Sequence, residues 1–372
     1  NLIKQITKGE FEVKDFLGWD KKTNTYYYTS NEGSPLRTSI YKIDAKGRKT
    51  KLSTREGTNR AIFSNSMKYF INTFSNISTP PLITINDNTG KELTTLVDNQ
   101  RLKDKIASMT LPSKEFFTFK TNDGVELNGW MIKPANFDPN KKYPVILDIY
   151  GEPASSTVQD VWGGGSLWHQ HLANQGYIVM SIDNRGANTP RGREWRKCIY
   201  GEVGTFACQD QAQAIQDLGK QYSFIDLSRI GVTGWSGGGS QTLNCMFRYP
   251  DVFHTGIAVA FVADQRLYDT IYQERYMNTP QNNPEGYRKG SPIHYAAGLK
   301  GNLLLIHGTG DDNVHYQSCE MMVNELIRHG KVFSQISYPM RSHSINEREG
   351  TTYHLRKSMV DYWTKNLPAG GR

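Results

Sequence analysis

The chain has 372 residues, 37% of them apolar and 22% charged, with 15 Phe, 7 Trp and 20 Tyr, which supplies two packed domains and excludes a disordered chain. Of the net charge of +8, +7 sits in residues 1–110 (18 Lys and Arg against 11 Asp and Glu), residues 111–372 being near neutral at 26 against 25; basic residues scattered through turns such as Lys46-Gly47-Arg48-Lys49 read as a solvated face, not a nucleic-acid surface. The longest apolar runs, Pro144–Ile149 and Leu303–Ile306, fall far short of the roughly 20 residues of a membrane span, no signal-peptide pattern opens the chain, and a start at Asn1 reads as a processed or excised piece.

In chain order, the first hundred residues look repetitive. Strand-like Tyr26–Ser30 and Ser39–Ile43 are followed by Lys68–Asn72 and Pro81–Ile85, split by turns such as Asp44-Ala45-Lys46-Gly47 and Asn86-Asp87-Asn88. A period of roughly 45 residues with about four short strands is that of a propeller blade, although a plain antiparallel sheet fits the same pattern. Two blades cannot close a ring, so residues 1–110 are expected to form a partial β-propeller, its last blades.

From Lys114 the pattern changes. Phe116–Phe119 and Val125–Ile132 flank Asn122-Asp123-Gly124, a hairpin signal. Apolar strands then alternate with amphipathic helices. The strands are Val145–Tyr150, Tyr177–Ile182, Arg229–Thr233, Gly256–Ala260, Leu303–His307 and Phe333–Tyr338; the helices include Ser166–Asn174, Asp210–Tyr222, Gly239–Tyr249, Tyr316–His329 and Thr351–Asn366. This predicts a mostly parallel sheet covered on both faces over 111–372, an α/β fold. The cysteines, 198, 208, 245 and 319, form no CxxC pair and no zinc spacing, so neither metal nor cofactor is expected; a bridge between Cys198 and Cys208 stays open.

Gly234-Trp235-Ser236-Gly237-Gly238 follows a predicted strand and opens a predicted helix. In that setting G-x-S-x-G is a nucleophile elbow, because a strand-to-helix turn this tight leaves no room for side chains beside the strained serine. A serine hydroxyl needs a base, and the base an orienting acid. The expected order is Ser, acid, His. The acid falls in Gly308–Asn313, after one strand, and the histidine in Pro339–His343, after the next. Ser236, Asp311 and His343 are therefore the expected triad, with Asp312 competing for the acid. His307, His315, His354, His169 and His171 read as structural.

The elbow, the run His307-Gly-Thr-Gly-Asp-Asp-Asn-Val-His315 and the run Glu274-Arg-Tyr-Met277 together resemble the prolyl oligopeptidase family, and within it the dipeptidyl peptidase IV branch. The resemblance covers essentially the whole chain and implies an α/β-hydrolase domain after the partial propeller. It implies a serine peptidase that acts on peptide substrates, releasing N-terminal dipeptides with Pro or Ala second through an acyl-enzyme; a periplasmic or secreted setting and a homodimer are compatible with it. It further implies Tyr150 and the Gly237 N–H as oxyanion donors, Val262, Tyr268, Tyr272 and Val314 as walls for the residue before the cleaved bond, and Asn313 as a holder of a substrate carbonyl. Gly237 stands where the family often has Tyr, Gln265 replaces an aromatic wall, and Ser344 replaces a glycine, which weakens the case for strict Pro preference. No Glu-Glu pair able to hold the substrate amine occurs in the chain, so that grip is not expected within these residues; an amine-dependent dipeptidase rate from this chain would make Glu152, beside Tyr150, the first candidate. A broader esterase or acyl-aminoacyl peptidase, and a non-catalytic binding protein on the same fold, are the competing readings.

Overall fold

Short strands and polar turns organise the N-terminal segment into two four-stranded antiparallel sheets. The first is β1 (Val13–Asp20), β2 (Thr25–Ser30), β3 (Ser39–Asp44) and β4 (Lys49–Lys51); the second is β5 (Thr58–Phe63), β6 (Tyr69–Asn76), β7 (Thr79–Asp87) and β8 (Glu92–Val97), each in simple meander order. The repeat is visible in the turns. Asp44 Oδ1 accepts the N–H groups of Lys46 and Arg48, and Asp87 Oδ1 those of Thr89 and Lys91, at 2.8–3.1 Å. Gly47 and Gly90 complete the two turns at φ 82° and 94°, a region that side chains disfavour. Tyr27, Ile40, Leu52 and Phe70 are buried together, with Phe63 packed against them. The helix α1 (Gln100–Ala107) follows.

The computed structural model describes residues 4–163 and 165–372. Contacts divide the chain into Asn1–Leu111, Gln159–Leu167 and Thr189–Trp195 as one unit, and Pro112–Val158, Trp168–Asn188 and Arg196–Arg372 as the other. The single cut after residue 110 thus misses two later segments that belong with the blades. Polar contacts tie them there: Asp160 accepts from Arg37 Nε at 2.8 Å, and Asn31 Nδ2 donates to the Pro190 carbonyl at 2.6 Å.

The second unit is built on an eight-stranded sheet. A hairpin of β9 (Lys114–Lys120) and β10 (Glu126–Ile132) precedes β11 (Tyr143–Asp148). The chain continues through α2 (Ser166–Asn174), β12 (Ile178–Asp183), α3 (Gly192–Lys197), α4 (Phe206–Gln221), β13 (Ile225–Trp235), α5 (Gly237–Arg248), β14 (Thr255–Val259), α6 (Thr270–Met277) and α7 (Pro284–Gly290). It ends with β15 (Asn302–Gly308), α8 (Gln317–Arg328), β16 (Ser334–Tyr338) and α9 (Thr351–Asn366). The strand order is β16-β15-β14-β13-β11-β12-β10-β9. Pairing is parallel from β16 to β12 and antiparallel at β10 and β9.

Every residue of β12 and β14 is buried, the continuous apolar signature of a sheet covered on both faces. β11 pairs with β12 on one side and β13 on the other. The chain therefore reverses direction across the sheet at β11, and the crevice beyond the carboxyl ends of β11 and β13 is where such sheets place their sites. None of the four cysteines is in a disulfide, Cys208 being buried and Cys198 exposed, so the structure does not contain the bridge left open between those two. Among the described residues no helix is long and apolar enough to cross a membrane.

Candidate active site

β13 ends at Trp235 and α5 begins at Gly237, and Ser236 between them has φ 59° and ψ −122°. A serine is strained there, which is how the turn lifts its hydroxyl off the backbone. A Cβ on Gly234 would lie 2.4 Å from the Gly238 carbonyl oxygen, and one on Gly238 would lie 2.2 Å from the Ile149 oxygen. Both glycines of the motif are therefore demanded by close approach of backbone. The elbow is anchored by the Ser236 N–H, which donates to the Val259 carbonyl at 2.9 Å.

The acid lies in the turn after β15. Asp311 Oδ1 accepts the N–H groups of Asn313 and Val314 at 3.0 and 2.8 Å, and Oδ2 accepts from His343 Nδ1 at 2.8 Å. Burial pushes this carboxyl up, but hydrogen bonds from His307 and His343 outweigh burial and hold it well below the usual carboxylate range. With Nδ1 turned to the carboxylate, the imidazole keeps its proton there and leaves Nε2 as the basic nitrogen. Asp312 is exposed and makes no bond to the histidine. The loop carrying His343 follows β16 and approaches the acid turn closely, since a Cβ on Gly308 would lie 2.2 Å from the Arg341 oxygen. Trp235 Nε1 donates to the His343 carbonyl at 2.9 Å, joining the residue before the serine to the histidine loop.

His307 is fully buried; its Nε2 lies 2.8 Å from the Val314 carbonyl and 3.3 Å from Asp311 Oδ2. It braces the acid turn from behind, a role its strand-end position did not suggest, although the i, i+4 spacing to Asp311 was there to be read. His354 bonds Tyr338 and His169 bonds Asp148, while His171 and His315 are exposed.

A cavity opens beside Ser236. Of the residues expected at the site, Tyr150, Gly237, Val262, Tyr268 and Tyr272 line it, together with Glu152, Gln265 and Gln273. Asn313 and Val314 are beside it and not on its wall: Asn313 Oδ1 accepts from the Tyr268 hydroxyl at 3.1 Å, and Val314 is buried behind the acid. Burial, followed by the charge of Glu152, pushes the Tyr150 hydroxyl up to about 12, so it remains a proton donor through neutral pH. Glu152 is only 4% exposed. Its carboxyl accepts from Gln241 Nε2 at 3.1 Å and from the Tyr272 hydroxyl at 3.2 Å, and burial pushes it up to about 7 against those two bonds. The sequence flagged Glu152 for its neighbour but not for this pocket, and gave no sign of Gln273.

The crossover sheet, the serine held at a strand-to-helix elbow and the acid and histidine on loops after β15 and β16 define an α/β-hydrolase. The comparisons with known proteins narrow the class. The model of the prolyl oligopeptidase family matches residues 166–369, and that of the dipeptidyl peptidase IV N-terminal region matches residues 1–81. The chain belongs to the prolyl oligopeptidase family. It is 32% identical to dipeptidyl peptidase 8 of Homo sapiens over 97% of this chain and 42% of the relative, and 32% identical to dipeptidyl peptidase 4 of Trichophyton equinum over 95% and 47%. The crystal structure of Porphyromonas gingivalis dipeptidyl peptidase 4 superposes with a TM-score of 0.94 at 41% identity, covering 98% of this chain and 51% of that one. That of a dipeptidyl aminopeptidase IV homologue from Bacteroides ovatus gives 0.89 at 34%, with the same coverage. The chain spans about half the length of the relatives it matches.

Proposed function

We propose that this chain carries the catalytic apparatus of a serine dipeptidyl peptidase. Ser236 attacks the carbonyl of the second residue of a peptide while His343 Nε2 takes its proton. Asp311 holds the His343 Nδ1–H and stabilises the imidazolium. The negative charge that develops on the carbonyl oxygen is met by the Gly237 N–H and the Tyr150 hydroxyl. The tetrahedral species collapses, His343 returns the proton to the departing amine, and the dipeptide stays on Ser236 as an ester. Water, deprotonated by the same histidine, releases it. Asn313 holds a substrate carbonyl, and Val262, Tyr268 and Tyr272 enclose the side chain of the second residue, with Val314 packed behind the acid turn.

The observation that carries this reading is the 2.8 Å bond between His343 Nδ1 and Asp311 Oδ2, on loops that follow the strands beyond the Ser236 elbow. The dipeptidyl peptidase relatives at 32–41% identity over nearly the whole chain support the dipeptide product over an esterase or a non-catalytic binder. Mass spectrometry of a free-amine peptide incubated with the full-length protein tests it. Stepwise loss of two residues, absent in Ser236→Ala, is expected; loss of single residues or internal cleavage would overturn it.

A further inference from the structure

The pocket beside Ser236 has aromatic walls and a polar floor. Glu152, Gln265 and Gln273 face into it, all buried, where a site for an apolar side chain would carry none of them. Three features of the floor point to a polar ligand, and the carboxylate among them to one that also brings hydrogen-bond donors or positive charge.

The first is the acceptor capacity of Glu152. A carboxylate has about four lone-pair sites. Here two are used, by Gln241 Nε2 and the Tyr272 hydroxyl, both neutral donors. Among the described residues no Lys, Arg or His pairs with it. Buried carboxylates are as a rule paired with a cation or a metal, and this one is left to be paired by what enters the cavity.

The second is Gln273, whose Nε2 is buried and without a partner while the residue lines the same cavity. An unsatisfied buried group costs free energy unless something completes it.

The third is Gly237. A Cβ there would lie 2.2 Å from Glu152 Cγ. The missing side chain and the acidic side chain are two halves of one arrangement: the stem of Glu152 occupies the space that a side chain after the nucleophile would fill. The tyrosine rings of 150, 268 and 272 complete the enclosure, and aromatic faces favour a cation over a neutral group of the same shape.

On the reading that this cavity receives the side chain of P1, the residue whose carbonyl Ser236 attacks, we infer that Glu152 is the specificity-determining residue of the pocket and selects a basic P1 side chain, lysine or arginine, over proline. The entering ammonium or guanidinium takes the unused lone pairs of Glu152 in a charge-assisted bond. A neutral P1 side chain leaves the carboxylate buried and unpaired, which is the source of the discrimination.

The test uses irreversible labelling, so that no turnover is needed. Alanyl dipeptide diphenyl phosphonates carrying lysine, norleucine or proline at P1 are compared at pH 8 by their rates of covalent attachment to Ser236. Norleucine matches the lysine stem without its charge. The lysine probe is expected to react at least about tenfold faster than either of the others, and Glu152→Gln to bring lysine and norleucine to within about twofold. Norleucine or proline equal to lysine in the wild-type protein overturns the assignment, and so does a lysine preference that survives Glu152→Gln. If that variant does not fold, the wild-type series decides alone. A plain fluorophosphonate, which has no P1 side chain, is run in parallel. Failure of Ser236 to react with it speaks against the hydrolase reading itself, whereas reaction with it but no lysine preference sinks only the role given to Glu152.

Discussion

Glu152→Gln should stabilise the protein at alkaline pH and do so far less near pH 5. The carboxyl is fully buried, and its proton affinity rises from 4.5 in the unfolded chain to about 7 in the folded one. Among the described residues the groups that face it are the neutral Gln241 amide, the Tyr272 hydroxyl and, more distantly, Tyr150 and Tyr268, and none of them is a cation. Between pH 4.5 and 7 the native state therefore binds the extra proton, and stability falls as pH rises through that window. A rise of this size corresponds to about 3 kcal/mol at 1.4 kcal/mol per pH unit. Glutamine has the shape of the protonated acid and can accept from Gln241 while donating to the Tyr272 oxygen, so it keeps both bonds and carries no charge. Urea unfolding of the two proteins at pH 5 and at pH 8.5 measures the difference. The variant should gain about 3 kcal/mol over wild type at pH 8.5 and less than about 1 kcal/mol at pH 5. Equal gains at the two pH values, or a loss at pH 8.5, would refute the view of Glu152 as a buried and unpaired carboxyl.

Three further outcomes follow from the same geometry. Asp311→Asn preserves the shape of the turn but no longer holds the His343 proton on Nδ1, and kcat should fall by about 10⁴ with little change in KM, measured on any substrate that the wild type turns over. Tyr150→Phe removes one of two oxyanion donors and should lower kcat by about 10²–10³; an unchanged kcat returns Tyr150 to a packing role. Gly237→Ala drives a methyl group into Glu152 and should cost about 1–3 kcal/mol. The double change Gly237→Ala with Glu152→Gly should recover most of that cost, a coupling that a thermodynamic cycle reads directly.

The parts of this fold that were legible in the sequence are those where local chemistry and global position agree. Asp44 and Asp87 each precede a glycine by three residues, and the same side-chain-to-backbone bonds form in both turns, so the repeat of about 45 residues is a repeat of turn chemistry; Val13 and Thr58, which open the two sheets, are 45 positions apart. The elbow was legible because Gly234 and Gly238 are forced by backbone contact, and the acid turn because it follows the buried apolar run Leu303–Ile306 of β15, whereas the strand before the histidine loop, Ser334-Gln335-Ile336-Ser337-Tyr338, is mostly polar.

What escaped had no local signature. The attachment of Gln159–Leu167 and Thr189–Trp195 to the blades rests on single long-range contacts such as Arg37 with Asp160, which no periodicity announces. Val314 is expected on the pocket wall but lies behind it, because its N–H, like that of Asn313, is turned to Asp311. The burial of Glu152 runs against the usual fate of a glutamate, and only the clash between it and a side chain at 237 explains why the residue after the nucleophile is a glycine.

The most direct measurement is peptide mapping of the protein after exposure to a fluorophosphonate. The expected result is a single adduct on Ser236, with labelling abolished in Ser236→Ala and slowed by about 10⁴ or more in His343→Ala. An adduct on another residue, labelling that persists in Ser236→Ala, or a His343→Ala variant that reacts at the wild-type rate while His354→Ala does not, would contradict the assignment of the elbow serine and its histidine as the reactive pair.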